Sequence, residues 1–346
     1  MKKNINPSKV IYCLLVAIFM MTMQSCMETP GIQQETEIAK TDRDEMHGII
    51  KKMIQAMKTE NVDYLYNMFS DSAKKIATKE VIKNALRAIN IEKGQELMNV
   101  EGEFIVTNNF TSKIDSVISR GYNYEYVYHF RPANAKTYIY LCSVNTTDGI
   151  RKLISCVFTK THGEWKILTM NFGLFSYNKL QAPDYYGIAN EKYDANDFIC
   201  AALNVEMCRA LIDPASGAFV YPQEMEIQCK KIITEAAQRY TLPMKINSIA
   251  TKPSIIDVAM QTHCMKIYPT VRYYSNIDIH DSMAIVKENN ELHDMIRKIF
   301  PHINEMGDSI MYIAGNENSE TSRSSHQMML MKWNSKVDTA QLNKLL

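Results

Sequence analysis

The amino-acid sequence predicts an α+β protein built as two domains. Three features of its pattern carry this. Apolar residues recur at helical spacing over 46–57 and again over 81–89. From about 103 to 172 the period becomes two, the spacing of strands that present one face to a core. Beyond a stretch at 176–194 that contains Pro183 and Gly187, helical and strand periods alternate again. A chain of 346 residues is long enough for two cores at roughly 100–200 residues each.

Thr41 to Lys58 reads as the first helix. Met46, Ile49, Ile50, Met53, Ile54 and Met57 form one apolar stripe. Asp42, Asp44 and Glu45 place negative charge at its start, where the helix dipole is positive. A short helix follows over Val62–Phe69, and a third begins after Thr78, an N-cap residue, with Val81, Ile82, Ala85, Leu86 and Ile89 on its stripe. Strands are expected at Glu103–Thr107, Tyr122–Phe130, Lys136–Val144, Arg151–Lys160 and Glu164–Phe172, with turns at Asn145–Gly149 and His162-Gly163. Short connections between long strands imply an antiparallel meander.

The second domain is expected to open with a helix over Asn196–Ile212, stopped by Asp213-Pro214. A second helix enters through Pro222 and runs to Tyr240. Strands follow at Met244–Ala250 and Thr262–Tyr274, while Ser254–Met260 fits either a strand or a short helix. A helix over at least Asn290–Phe300, strands at Ser309–Ala314 and Gln327–Trp333, and a terminal helix at Thr339–Leu346 complete an α+β domain with no recognisable family pattern.

The N-terminus carries an address. Lys2, Lys3 and Lys9 precede the uncharged apolar run Val10–Met23, which is shorter than the ~20 residues of a membrane-spanning helix. With Ser25-Cys26 at its end, the stretch resembles a bacterial lipoprotein signal, in which the cysteine is lipidated and becomes the mature N-terminus. The resemblance implies a signal over 1–25 and a membrane anchor of acyl chains on Cys26. Residue 27 is Met rather than the Asp of the best-known inner-membrane retention signal, which points to the outer membrane, facing either side. Residues 26–40, polar and without apolar period, read as a flexible tether. The boundaries are then 41–175 for the first domain, 176–194 for a linker and 195–346 for the second domain.

Helices followed by an antiparallel sheet ending in Gly163-Glu164-Trp165-Lys166-Ile167 resemble the NTF2-like (cystatin-like cone) superfamily. Met46–Met57 and Asn61–Phe69 carry the rest of that resemblance, which covers about Asp42 to Gly173. It implies helices packed on a curled sheet around a cone-shaped pocket, and it implies no activity, because members include enzymes, ligand binders and accessory domains.

The chemistry-bearing residues are few. There is no G-x-S-x-G, H-E-x-x-H, Walker A or G-x-G-x-x-G motif, and 39 basic against 38 acidic residues give no signature of a nucleic-acid partner. The six cysteines beyond Cys26 contain no C-x-x-C pair, and their apolar surroundings favour buried free thiols over a disulfide framework. Tyr122, Tyr124, Tyr126 and Tyr128 would share one side of a strand, and Tyr138 and Tyr140 one side of the next. Such a wall could stack on a sugar or aromatic ligand, or it could be ordinary cross-strand packing. His129 with Glu125 and Arg131 could move a proton in a cone pocket, or form a solvated face. Asp278, His280, Asp281 and His263 are poor metal ligands at this spacing, so neither a metal nor another cofactor is expected.

Asp-Ser/Thr followed by a small or aliphatic residue occurs five times, at Ser72, Ser116, Ser282, Ser309 and Thr339, where composition predicts roughly one. The triplet resembles an O-glycosylation sequon of exported bacterial proteins, and it equally suits caps and turns.

The expectation is a membrane-anchored envelope lipoprotein with a non-catalytic binding or accessory role towards a small-molecule or protein ligand. The alternatives are an enzyme using the first domain's pocket and an inhibitor or immunity-type protein acting through an interface.

Overall fold

The computed structural model describes residues 31–89, 98–108, 113–119, 124–132, 136–146, 150–263, 266–316 and 326–333. The signal stretch, Cys26 and the expected terminal helix lie outside them. The fold is mixed α+β with largely antiparallel sheets. The chain divides into two compact units. Unit 1 holds the described residues up to Thr146 together with Arg151–Gly173 and Pro214–Val220. Unit 2 holds Ile150, Leu174–Asp213 and the described residues from Tyr221 onward.

Unit 1 begins with a strand, β1 (Gly31–Gln34), paired antiparallel with β2 (Met98–Thr107) from Gly31↔Thr107 to Gln34↔Phe104. This corrects the tether reading for residues from Gly31 onward. An edge strand of four residues needs only backbone pairing, so it leaves no hydrophobic period to read. A turn of 3₁₀ helix at Glu35–Glu37 leads into α1 (Lys40–Lys58). Its stripe behaves as the spacing requires: Met46, Ile50, Met53, Ile54 and Met57 are buried. Helices α2 (Val62–Met68), α3 (Asp71–Lys74) and α4 (Lys79–Ile89) follow. Asn61 caps α2 through Tyr64 N–H, and Ser70 caps α3 through Ala73 N–H. The last carbonyls of α4, at Ala88 and Ile89, accept from Lys152 Nζ at 2.5 and 3.2 Å, which supplies donors the helix itself lacks.

Strands β3 (Ser116–Ile118) and β4 (Val127–His129) are short. The long strand expected over Tyr122–Phe130 is therefore reduced to three residues, with Tyr124, Glu125 and Tyr126 leading into it outside regular pairing. The meander continues through β5 (Lys136–Asn145), β6 (Ile150–Thr161) and β7 (Glu164–Tyr177). The main sheet has the order β1-β2-β5-β6-β7. The β6–β7 turn is His162-Gly163, with φ of 51° and +83°, the left-handed pair that matches the twist of a hairpin. A bulge interrupts β2 between Val100 and Gly102. Gly102 is fixed there by crowding, because a Cβ would lie 2.4 Å from the Tyr126 hydroxyl.

After β7 the chain forms α5 (Ala182–Asp194) and α6 (Phe198–Leu211). The stretch read as a linker is thus largely helical. Its capping box pairs Gln181 with Asp184, and its buried face is Ala182, Tyr185 and Ala189, too small a set to show as an apolar stripe. Then β8 (Phe219–Val220) returns to unit 1 and adds to β4, making a second sheet of order β3-β4-β8.

Unit 2 continues with α7 (Gln223–Arg239), where Pro222 is the N-cap rather than the first helical residue. Strand β9 is only Met244–Lys245, shorter than expected, because residues 246–251 turn back. Strand β10 (Ser254–His263) resolves the ambiguous stretch and pairs antiparallel with β11 (Lys266–Tyr274). Helix α8 (Ser282–Ile299) starts earlier than its stripe suggests, because Asp281 caps it through Ala284 N–H. It connects β11 to β12 (Ser309–Gly315), which pairs parallel with β11, and β13 (His326–Lys332) closes the sheet β13-β12-β11-β10-β9. The core of unit 2 joins Val271, Tyr273, Ile310 and Tyr312 of this sheet with Ile285, Leu292 and Ile296 of α8 and Leu203 of α6.

Gly173 provides a test of unit 1. A Cβ there would meet the carbonyl oxygen of Pro214 at 2.4 Å and its Cα at 2.8 Å, both backbone atoms. Gly173→Ala is expected to destabilise the protein by about 1–3 kcal/mol, measured by urea unfolding.

Candidate functional site

The expected tyrosine wall is divided between two faces of the main sheet. Tyr138 and Tyr140 point to the face covered by helices, and both join the core formed with Met46, Ile50, Met53, Ile54 and Met57. Tyr126 lies on the other face, where its hydroxyl approaches Gly102 beside Phe104 and Leu141 and donates to the Glu101 carbonyl at 2.7 Å. Its ring stacks on Phe219 at 4.2 Å. Tyr128 is fully buried, and burial pushes its hydroxyl up to about 12. Tyr124 is half-buried, and Tyr122 lies outside the described residues. Tyr126 and Tyr128 lie beside or within β4 of the second sheet, whereas Tyr138 and Tyr140 lie on β5 of the main sheet, so the tyrosines belong to two layers.

The space that a cone pocket would occupy is packed. Between α1 and the sheet, Met53, Tyr138, Cys142, Ile154, Cys156 and Phe158 are each buried, and Cys156 Sγ lies 3.8 Å from Met53 Sδ. A carboxylate enters this layer. Glu103, on β2, is 5% exposed. Its Oε1 meets His47 Nε2 of α1 at 2.6 Å and accepts a short hydrogen bond from the Tyr138 hydroxyl. Burial, and then the Glu103 carboxylate, raise the Tyr138 pKa well beyond the ordinary phenol range. The His47 ring also stands edge-on to Tyr140, with centroids 6.4 Å apart. His47 is half-exposed, so this acid–imidazole–phenol set touches solvent through the imidazole. Sequence reasoning missed it. The signal was there: in a strand of period two, Glu103 shares a face with buried Ile105. Chemically the set joins a carboxylate and an imidazole to a phenol that stays protonated.

A second feature of unit 1 is an apolar groove of ≈ 440 Å³ between α2–α4 and β7. Leu65, Phe69, Ala73, Ile82 and Leu86 line it from the helices, and Leu168, Met170 and Phe172 from the strand. Ile76 and Val81 stand at it with exposures of 82% and 52%. Its polar residues are Thr169, Asn171 and Ser216, and no charged side chain lines it. The volume lies in the range of small-molecule sites, about 300–1,000 Å³.

The remaining candidates separate. His129 is exposed on β4 while its neighbour Tyr128 is buried, and Glu125 and Arg131 are exposed outside the strand, so these three form a solvated surface and not a pocket. Asp278 Oδ1 accepts from His280 N–H and Asp281 Oδ1 from Ala284 N–H, each at 3.0 Å, so both carboxylates build the turn and cap of α8. Among the described residues no group of three or more His, Cys, Asp or Glu is arranged to hold a metal ion. Ser72 is exposed, and Ser116 and Ser282 are half-buried, with Ser282 Oγ accepting from Gln327 Nε2 at 2.8 Å. Ser309 is 9% exposed at the start of β12. Thr339 and Cys26 lie outside the described residues.

Unit 2 holds a buried polar set of its own. Tyr273 donates to Asn289 Oδ1 at 2.9 Å, and the Tyr312 hydroxyl meets His293 Nδ1 at 3.0 Å. The His293 ring stacks on Trp333 at 5.2 Å. All four hydrogen-bonding side chains are buried, so they tie α8 to the sheet.

Comparison with protein-family models, with curated proteins and with solved structures finds no match to this chain.

Glu103→Ala is expected to cost about 1–3 kcal/mol, because it leaves the Tyr138 hydroxyl buried without its acceptor. Combining it with Tyr138→Phe should cost less than the sum of the two single losses, by at least ~0.5 kcal/mol. Urea titration of the four proteins checks both statements.

Proposed function

We propose that this chain is an envelope lipoprotein, anchored through a lipid on Cys26, whose unit 1 binds a neutral apolar molecule without transforming it. The observation that carries the binding role is the groove between α2–α4 and β7. It is open, largely apolar and uncharged, so it offers no ion pair to a carboxylate or phosphate and a good surface to an aliphatic or aromatic body. The exposed Ile76 and Val81 beside it make sense as residues covered by a ligand. Helices followed by four of the five strands of an antiparallel sheet support the NTF2-like reading of unit 1. In this member the interior between α1 and the sheet is filled, so the binding role moves to the groove. The anchor rests on the sequence: a basic start, an apolar run and Ser25-Cys26. No helix among the described residues is long and apolar enough to cross a membrane.

A second reading is supported by the contact of His47 with Glu103. It makes unit 1 a proton-transfer enzyme that works at the half-exposed imidazole.

The neutral dye N-phenylnaphthylamine is the probe for the groove. Saturable fluorescence enhancement is expected, weakened at least about tenfold by Val81→Glu, which places a charge against the bound dye. Undiminished binding by the Val81→Glu protein, or no saturable binding by the wild type, excludes the groove as the site. If His47→Ala leaves dye binding intact, the binding role is separate from the imidazole.

For the anchor, detergent-phase partitioning of the protein from its host is expected for wild type and lost for Cys26→Ser. Equal partitioning of the two would remove the lipid from the proposal.

A further inference from the structure

Helices α6 and α7 of unit 2 bring two cysteines together. Cys208 lies on α6, and Cys229 on the buried stripe of α7 with Met225, Ile232 and Ala236. Their sulfurs are 3.8 Å apart, and both residues are buried, at 0% and 1% exposure. We propose that Cys208 and Cys229 form a disulfide bond that staples α7 to α6.

The geometry singles out this pair among the described cysteines. A disulfide needs sulfurs at about 2.05 Å, so closure requires a movement of under about 2 Å, within reach of a χ1 adjustment. Cys142 and Cys156 sit on neighbouring strands, yet the register sets Cys142 opposite Ile154 and Cys156 opposite Tyr140. They are therefore diagonal, and Cys156 turns its sulfur to Met53. Cys200 is eight positions before Cys208 on the same helix, about 12 Å along its axis.

The two thiols differ in a way that suits stepwise oxidation. The hydrogen bond shared with Cys208, helped by the charge of Arg209, holds the Cys229 thiol below its ordinary value. The same bond and burial push Cys208 up. The oxidant is a small-molecule disulfide such as oxidised glutathione. The Cys229 thiolate attacks it, forming a mixed disulfide and releasing one glutathione thiolate. The Cys208 sulfur, giving its proton to that thiolate, then attacks the Cys229 sulfur and releases the second. Two protein thiols lose two hydrogens, and one oxidised glutathione becomes two reduced ones. Because both sulfurs are buried, the exchange takes place before α7 docks or when it transiently lifts. The finished bond is shielded from reductants. The bond does not depend on the groove or on the lipid anchor.

The test uses the full chain, unfolded and reduced, then refolded with a mixture of oxidised and reduced glutathione. Iodoacetamide blocks free thiols under denaturing, non-reducing conditions, and peptide mapping by mass follows. The expected result is a linked peptide pair containing Cys208 and Cys229, lighter by two hydrogens than the sum of the free peptides. The oxidised protein should also melt at a temperature higher by at least a few degrees than the reduced protein. Recovery of both cysteines as alkylated peptides from the folded, oxidised protein overturns the proposal. So does a link from either cysteine to a third. Cys208→Ser should leave Cys229 alkylated. If that variant does not fold, the wild-type map alone decides.

Discussion

The packing of α1 on the main sheet is the constraint from which the rest of unit 1 follows. Met46, Ile50, Met53, Ile54 and Met57 meet Tyr138, Tyr140, Cys142, Ile154, Cys156 and Phe158, and each fully buried side chain of this size contributes about 1.5–3 kcal/mol. Methionine suits this layer because its unbranched, polarisable chain fills gaps between rings. Among the described residues these side chains make the layer beneath α1 a buried apolar core. It also confines any polar group in that layer to a single arrangement. Glu103 is stable there only because His47 arrives from the helix and Tyr138 from the adjacent strand.

The contrast between that cluster and the groove is electrostatic. At Glu103 the protein has buried a carboxylate and surrounded it with donors, which fixes the position of a proton. Between α2–α4 and β7 it has removed charge altogether and left apolar surface open to water. The first arrangement orients, and the second lowers the free energy of an apolar body moved out of water. A chain that needed to recognise an anion would place lysine or arginine in the groove, and none lines it.

Long periodic segments were legible in the sequence and short or small-residue ones were not. The stripe of α1, the Thr78 cap of α4, β5, β6, the His162-Gly163 turn and β12 were legible from side-chain spacing and cap chemistry. Strands β1, β3 and β8 have four, three and two residues, fewer than a period can show, and the partners of β1 and β8 are distant in sequence. Helix α5 hid behind Pro183 and Gly187 because its buried face is mostly alanine. The tyrosine wall failed for a related reason. Alternation tells which residues of one strand share a face, and it does not tell to which layer the strand belongs. Glu103 was readable as an inward acid, whereas its partner His47 depended on how α1 is rotated over the sheet.

The pairing of β1 changes the meaning of the N-terminus. With a sheet that begins at Gly31, only four residues, and so five Cα–Cα steps, separate the folded body from Cys26. Fully stretched they reach at most about 18 Å. A lipid on Cys26, as proposed, would hold unit 1 within a headgroup layer's thickness or so of the bilayer surface. Such a protein would search for its ligands in a plane more than in a volume. A molecule released from the membrane would meet it before reaching open solution.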